Sequence, residues 1–282
     1  MVRIAATILA TFLLLAPSAA EAGTPSLKTL LSLIAGHVAE FKAQFSLVVG
    51  IERYDQVQRD SNGRTGTRTL QSEVFFFRPE LDGPAMTVRT VTQVDGREVK
   101  TPAMKIEEAL ALAPAVRTQK LRALADAGAQ YNLGDLQRNF NEPTVALTFG
   151  AADYQPRFRF SLRGIEIVDG LSLQCVDYSE RQRPTIIREG RSGADLRASG
   201  RIWTTDAGMI MRTELHVEKG DVAATIRVRY RNDDRLDIMV PATMDEDYRF
   251  RDRNNRQFMF ITAHASYSDY RRFETSARVI ER

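Results

Sequence analysis

Residue pairs that favour tight turns divide this sequence at intervals of roughly ten residues. Asn62-Gly63, Asp95-Gly96 and Asp169-Gly170 are such pairs, because these residue types tolerate the positive backbone φ angles of two-residue hairpin turns. Between the turns apolar and polar residues alternate, and in residues 226–231 every second residue is an arginine. Alternation places one set of side chains on each face of a strand. The pattern therefore predicts a meandering antiparallel sheet and not parallel βαβ units.

Two segments depart from this alternation and predict helices. Between residues 26 and 45, apolar residues recur every three or four positions. Residues 102–134 are rich in Ala, Leu, Lys and Gln, with a break expected near Pro114, because an interior proline removes a helical hydrogen bond. Residues 74–77 and 258–261 are apolar at successive positions, and a strand apolar on both faces needs a covering layer. We expect an α+β fold with one large curved antiparallel sheet, covered on its inner face by helices.

The first 22 residues have the features of a secretion signal. Arg3 is followed by an apolar run from Ile4 to Ala16 and by an A-x-A site that ends at Ala22. The run is shorter than the roughly 20 apolar residues needed to span a bilayer. We therefore predict cleavage after Ala22, a periplasmic or secreted location, and a chain that does not span the membrane. Residues 23–282 carry no repeat or low-complexity linker, which predicts a single domain.

The search for catalytic chemistry finds no convincing motif. None of the three histidines has the spacing of a metal site or of a serine–histidine pair; they are His37, His216 and His264. Cys175 is the only cysteine, which excludes an intramolecular disulfide, and its alternation with Leu173 predicts a buried thiol. We predict a protein that is not an enzyme and needs no cofactor or metal.

The basic residues favour a solvated surface over a nucleic-acid site. The net charge is only +3, and Asp233, Asp234, Asp247 and Asp252 dilute the positive charge of the arginine-rich strands. Export also argues against nucleic acid as a partner. Contact with lipid head groups or with an acidic protein is the next interpretation.

One hairpin carries a family resemblance. Residues 200–214 contain a strand with Trp203, an Asp-x-Gly turn and a strand that ends in Arg-x-Glu. This segment resembles the bacterial lipoprotein-carrier superfamily, the LolA/LolB and RseB-like proteins. A longer pattern, from Glu40 to Phe273, resembles a group of bacterial secreted proteins and implies no activity. The carrier resemblance implies an unclosed half-barrel whose concave face, capped by helices, holds an acyl chain or another apolar small molecule.

The resemblance also implies where the ligand binds. Because this chain is longer than the carriers, binding of an apolar ligand is the expectation and not lipoprotein carriage itself. The alternatives are an RseB-like module that binds another envelope protein with its cavity filled by its own helices, and a hydrolase with an unrecognised site. The predicted ligand-binding residues are Trp203, Met209 and Met211, which match the family segment, and Phe158, Phe160, Ile238 and Val240 as neighbours on the inner face.

Overall fold

The computed structural model describes residues 25–45, 47–77, 86–100, 106–134, 138, 141–189, 192–252 and 257–272. The predicted signal segment lies outside the described residues. Four helices and thirteen strands are found in the described part of the chain. The helices are α1 (Leu27–Gln44), α2 (Ile106–Leu110), α3 (Pro114–Ala129) and α4 (Val145–Thr148). The strands are β1 (Val48–Asp60), β2 (Thr65–Phe77), β3 (Met86–Val94), β4 (Arg97–Glu98), β5 (Phe158–Val168), β6 (Leu171–Glu180), β7 (Ile187–Arg188), β8 (Asp195–Leu196), β9 (Ala198–Thr204), β10 (Ile210–Lys219), β11 (Val222–Asp233), β12 (Ile238–Arg251) and β13 (Phe258–Arg272).

Eleven of these strands form one antiparallel sheet, in the order β4-β3-β2-β1-β13-β12-β11-β10-β9-β6-β5. Strands β1 to β4 form one meander, strands β5, β6 and β9 to β13 form the other, and the pairing of β1 with β13 joins them. Strands β7 and β8 pair with each other in a separate two-stranded sheet. The end strands β4 and β5 are not neighbours, so the sheet remains open. This arrangement confirms the predicted α+β fold with an unclosed antiparallel sheet.

The turn residues form the hairpins that the sequence predicts. Asp95 and Gly96 have φ angles of 50° and 76°, and Asp169 and Gly170 have 51° and 80°. Two consecutive positive φ values match the right-handed twist of the flanking strands. These turns connect β3 to β4 and β5 to β6.

Helix α1 packs on the face of the sheet that we call the inner face. Its first turn is capped by Ser26, whose side-chain oxygen accepts a hydrogen bond from the Thr29 backbone N–H at 3.2 Å. Leu30, Ile34 and Val38 are fully buried in the main core. They recur at helical spacing, so the predicted apolar stripe is the surface that packs against the sheet.

Helices α2 and α3 lie on the opposite, outer face. On β2, Val74 and Phe76 belong to the main core with α1, whereas Phe75 between them packs with Leu121 of α3 in a second cluster. Neighbours on a strand point to opposite faces. The prediction that residues 102–134 cover this strand is therefore confirmed, but the cover lies outside, because Phe75 points away from α1.

The position of α3 depends on a close backbone contact. A Cβ at Gly128 would lie 2.2 Å from the carbonyl oxygen of Arg89 in β3, so the helix approaches this closely only with glycine there. The predicted break is also present, since α2 ends at Leu110 and Pro114 opens α3. Proline suits that position because the first helical N–H groups have no partner within the helix.

Candidate functional site

Four of the seven predicted binding residues lie on the inner face. Phe158 on β5 and Ile238 and Val240 on β12 are buried in the main core, and Phe160 packs at its margin. Strands β5 and β12 are separated in the sheet by β11, β10, β9 and β6. These residues therefore form two groups and not one pocket. Their role in ligand binding stays a prediction.

The prediction that Trp203 lies on the inner face is wrong. Its neighbour Ile202 belongs to the main core, so Trp203 points to the outer face, where it packs with Leu173 and Cys175. Its indole Nε1 donates to Glu166 Oε2 at 2.8 Å, and the Arg212 guanidinium lies 4.6 Å from the ring centroid. The reason is the period of two: alternation shows which side chains share a face, but not which face meets the core.

The two methionines of the same hairpin also lie away from the inner face. Met211 packs in the outer cluster of Trp203, and Ile210 beside it is the residue that enters the main core. Met209 lies in the turn before β10 and its side chain is exposed. The inner-face placement expected for Met209 and Met211 is therefore also wrong.

A row of apolar side chains on the end strand β5 becomes steadily more exposed along the strand. We call it the β5 strip: Phe158, Phe160, Leu162, Ile165 and Ile167. Phe158 is buried, Phe160 and Leu162 are half-buried, and Ile165 and Ile167 are 56% and 80% exposed. A bulge between Leu162 and Gly164 shifts the alternation by one residue. The strip is thus an apolar part of the inner face that the helices leave accessible to solvent.

Beside the strip, the next strand offers polar groups. Ile165 pairs with Gln174 of β6 and Ile167 pairs with Ser172, and cross-strand partners share a face. Gln174 donates from Nε2 to Asp206 Oδ1 at 2.8 Å. The exposed end of the β5 strip is therefore one side chain wide.

The middle of the inner face holds a buried polar network that the sequence analysis missed. Glu52 on β1 is fully buried and accepts two hydrogen bonds from Arg89 of β3, the Nη2 bond at 2.8 Å. Tyr54 donates to Glu246 Oε2 on β12 at 3.1 Å. The guanidinium of Arg138 donates to the Tyr54 hydroxyl oxygen at 2.8 Å. One local signal was present: residues 52–56 place polar side chains on both faces of a central strand.

Burial shifts the acid–base behaviour of this network. It raises the pKa of Glu142 to about 7, opposed by a backbone hydrogen bond from Thr87 and by the charge of Arg89. Burial also raises the pKa of Glu246, against the attraction of Arg138 and the hydroxyl of Tyr248. Both carboxyl groups therefore favour the neutral form more strongly than exposed glutamates do.

The outer face carries charges in a regular cross-strand row. Each member pairs with the next across neighbouring strands, and acidic and basic residues alternate. Arg201 Nε donates to Asp177 at 2.8 Å, Arg227 Nε donates to Glu214 at 2.8 Å, and His264 Nδ1 lies 2.7 Å from Asp245. The charge row is Asp177, Arg201, Glu214, Arg227, Asp245 and His264. Arg229 and Arg231, the other arginines of residues 226–231, lie 3.4 Å from Asp169 and 3.6 Å from Asp233. The arginines of this segment are thus paired with carboxylates, as expected for a solvated face.

A groove of about 380 Å³ lies on the same outer face near the open end of the sheet. Arg159, Ser179, Ser199 and His216 line it and pair in that order across β5, β6, β9 and β10. A polar lining of this kind does not suit an apolar ligand.

The prediction of a buried thiol at Cys175 is confirmed. The side chain is fully buried beneath Trp203 in the outer cluster. Burial raises the pKa of the thiol to about 12, and the nearby Glu166 carboxylate adds to the shift. A thiol in this state is a poor nucleophile.

Within the part of the chain that the structure describes, no three His, Cys, Asp or Glu side chains come together as a metal site. None of the described helices is long and apolar enough to cross a membrane.

No family model and no curated protein matches this chain. Among solved structures, it is similar to a domain named as an outer membrane lipoprotein-sorting protein from Vibrio parahaemolyticus, at 12% identity and a TM-score of 0.40, over 88% of this chain and 94% of that one. A LolA superfamily protein from Nitrosomonas europaea is similar at 11% identity and a TM-score of 0.33, over 89% and 97% of the two chains. The MucA/MucB complex of Pseudomonas aeruginosa is similar at 12% identity and a TM-score of 0.22, over 87% and 99%. A member of the superfamily that residues 200–214 resemble is thus among the similar structures. At these identities and TM-scores the similarity carries no argument about what this chain does, and its function has to follow from its own residues.

Proposed function

We propose that this chain is an exported, non-catalytic binding protein and that its ligand is apolar, namely an acyl chain or another lipid. The β5 strip carries this proposal. Ile165 and Ile167 expose apolar surface at the open end of the sheet, and covering a large aliphatic side chain is worth about 1.5–3 kcal/mol. A ligand that covers both therefore gains binding free energy without disturbing the packed core.

The width of the strip favours a linear ligand. Ser172 and Gln174 lie directly beside its exposed end, so the apolar surface follows one strand and does not broaden across the sheet. Stable protein interfaces bury about 800 Å² on each partner. A row one side chain wide suits a flexible hydrocarbon chain better than the apolar centre of such an interface.

The arrangement of acids and bases supports a non-catalytic role. Glu142 and Glu246, the carboxyl groups with raised pKa values, lie in the buried network and not beside the β5 strip. The strip itself carries only apolar side chains. It provides a surface for binding and no group for proton transfer.

The proposal is tested by lipid extraction and by probe binding. Mass spectrometry of an organic extract of the purified protein should show acyl species in near-stoichiometric amount. Ile167→Asp should weaken binding of a fluorescent fatty-acyl probe at least about tenfold, because a carboxylate cannot be desolvated there without a partner. Val116→Asp is the matched control, since Val116 is an exposed apolar residue of α3 on the outer face.

Two outcomes of these experiments would count against the proposed function. Both variants should remain folded, because the replaced side chains are exposed. A wild-type protein that yields a lipid-free extract and binds no acyl probe would contradict the proposal. Equal probe binding by Ile167→Asp and wild type would move the ligand away from the β5 strip.

A second candidate function is an interaction module that binds another envelope protein. The observation that favours it is the filling of the inner face by α1, whose Leu30, Ile34 and Val38 have no exposed surface. In this case the free edge of β5 would pair with a strand of the partner. A lipid-free extract, together with a defined partner whose binding is lost in Ile167→Asp, would favour the module.

A further inference from the structure

The buried polar network lies over two alanines of strand β13, and we call the region above these alanines the chamber. In the register of the sheet, Ala263 lies between Gln56 of β1 and Glu246 of β12, and Ala265 lies between Tyr54 and Met244. The two alanines have the shortest side chains in these rows. The Tyr54 hydroxyl nevertheless reaches Glu246 Oε2 at 3.1 Å, so this hydrogen bond spans β13 above the alanines.

Arg138 contacts three side chains at the chamber. It donates to the Tyr54 hydroxyl oxygen at 2.8 Å and to Gln56 Oε1 at 2.7 Å. Its guanidinium also lies 5.4 Å from the ring centroid of Tyr248. Arg138 is thus bonded directly to Gln56 and is linked to Glu246 through the Tyr54 hydroxyl.

Each of these three residues has one buried polar atom left over. Arg138 Nε, Gln56 Nε2 and Glu246 Oε1 have no hydrogen-bond partner among the described residues. The residues themselves are only 5%, 1% and 1% exposed. Because buried polar groups in folded proteins are nearly always hydrogen-bonded, three unpartnered atoms in one linked cluster point to an occupant.

The chemistry of the three atoms defines that occupant. Arg138 Nε and Gln56 Nε2 donate, and Glu246 Oε1 accepts at pH values above the raised pKa of its carboxyl group, where that group is ionised. A carboxylate has no hydrogen to give to the ionised Glu246 and would be repelled by its charge, and the charge of a phosphate would be repelled in the same way. A hydroxyl group accepts two hydrogen bonds and donates one, which matches the set. The methyl groups of Ala263 and Ala265 can contact the carbon that bears it.

We propose that this chamber binds the hydroxyl group of an alcohol, either a free polyol such as glycerol or the glycerol head group of an acylated ligand. The site lies on β1, β12 and β13, away from the β5 strip, and its contacts do not depend on an apolar ligand there. The two sources share the hydroxyl chemistry and differ in the attached hydrocarbon chain.

The test observes the chamber directly through the methyl signals of Ala263 and Ala265. Protein labelled with ¹³C in its alanine methyl groups is titrated with glycerol, with 1-monooleoylglycerol and with methyl oleate. Saturable shifts of both signals with glycerol would assign a free polyol, and shifts with monooleoylglycerol alone would assign the head group. Methyl oleate has no hydroxyl group and should leave both signals unchanged.

Two variants with matched controls sharpen the test. Ala263→Leu should abolish the response by filling the chamber, whereas Thr262→Leu, on the exposed face of the same strand, should not. Glu246→Gln exchanges the acceptor for a donor and should weaken binding of the alcohol about tenfold. It should also admit acetate, which has only acceptors. Glu218→Gln, an exposed glutamate, should behave as wild type.

The thermal midpoint of each variant shows whether it is folded, and Glu246→Gln decides the matter if Ala263→Leu does not fold. The proposal is overturned if neither glycerol nor monooleoylglycerol moves the two signals of folded wild type, which would leave ordered water as the occupant. It is also overturned if methyl oleate acts like monooleoylglycerol, or if folded Glu246→Gln binds the alcohol as tightly as wild type.

Discussion

The two faces of strand β12 hold acidic groups in opposite ways. On the outer face, Asp245 and Asp247 are accessible to water and pair with His264 and Arg227. On the inner face, Glu246 between them is 1% exposed and accepts hydrogen bonds from two tyrosine hydroxyls. Water can replace a lost partner outside, but not inside. An acidic side chain on the outer face can therefore lose its partner at little cost in stability, whereas one on the inner face depends on its specific partners.

Removing one member of the Glu52–Arg89 pair should have the largest effect. Glu52→Ala leaves the Arg89 guanidinium, which is 8% exposed, without its carboxylate. Breaking a buried pair in this way costs about 3–5 kcal/mol. Urea unfolding followed by circular dichroism measures the loss in the free energy of unfolding.

The exposed pair of Arg271 and Glu73 provides the control for that measurement. Its atoms are 2.8 Å apart, but the side chains are 52% and 44% exposed. Glu73→Ala should cost less than about 1 kcal/mol. Replacing both Glu52 and Arg89 with Met should recover much of the loss, since no unpaired charge remains. Equal losses in the free energy of unfolding for Glu52→Ala and Glu73→Ala would contradict the distinction between buried and exposed charges.

Glu142 should make stability depend on pH, with an intermediate effect. Its pKa is about 7 in the folded chain and near its ordinary value of 4.5 in the unfolded chain. Below pH 4.5 both states hold the proton. Between pH 4.5 and 7 only the unfolded chain releases it, so stability falls as the pH rises and then levels off. The total loss is at most about 3 kcal/mol.

Glu142→Gln isolates this contribution, because the amide resembles the protonated carboxyl group. The free energy of unfolding of the variant, relative to wild type, should rise between pH 4.5 and 7 and stay constant above. Glu218→Gln, at an exposed position, should show no such rise. Parallel pH profiles for wild type and Glu142→Gln would mean that the carboxyl group ionises as it does in water.

Breaking the outer charge row should have the smallest effect. Arg227 donates to Glu214 and to Asp247, both at 2.8 Å, but all three side chains retain contact with water. Arg227→Ala should lower the free energy of unfolding by less than about 1 kcal/mol, and by less still in high salt. A loss as large as that of Glu52→Ala, or one unaffected by salt, would show that the row is not a solvated surface.

The sequence predicted the fold well because its signals are local. Turn pairs such as Asp169-Gly170 act through the φ angles of two adjacent residues, and the α1 stripe acts through its helical period. The face of Trp203 was not predictable in the same way, since Ile202 and Trp203 are both apolar and either could have faced the core. The choice depends on the packing of distant strands.

The residues around the polar chamber could not be predicted from local sequence patterns, for a different reason. Tyr54, Arg138 and Glu246 meet because only β13 separates β1 from β12 in the sheet and because Arg138, which lies beyond α3 in the chain, bonds to Tyr54. No single window of the sequence contains two of the three. The polar residues 52–56 on a central strand were the only visible sign of it.

The position of β13 has a consequence for the order in which the molecule assembles. This strand is made last among those of the sheet, yet it lies in the middle, where it pairs Tyr54 of β1 with Ala265 and joins the two meanders. Each meander can form hairpins while synthesis continues, but β1 must wait for its second neighbour. Closing so long a loop is slow because its entropy is lost before the new contacts form. Until then one edge of β1 has no partner strand, so Tyr54 and Glu246 come together across β13 only after that strand has paired on both sides.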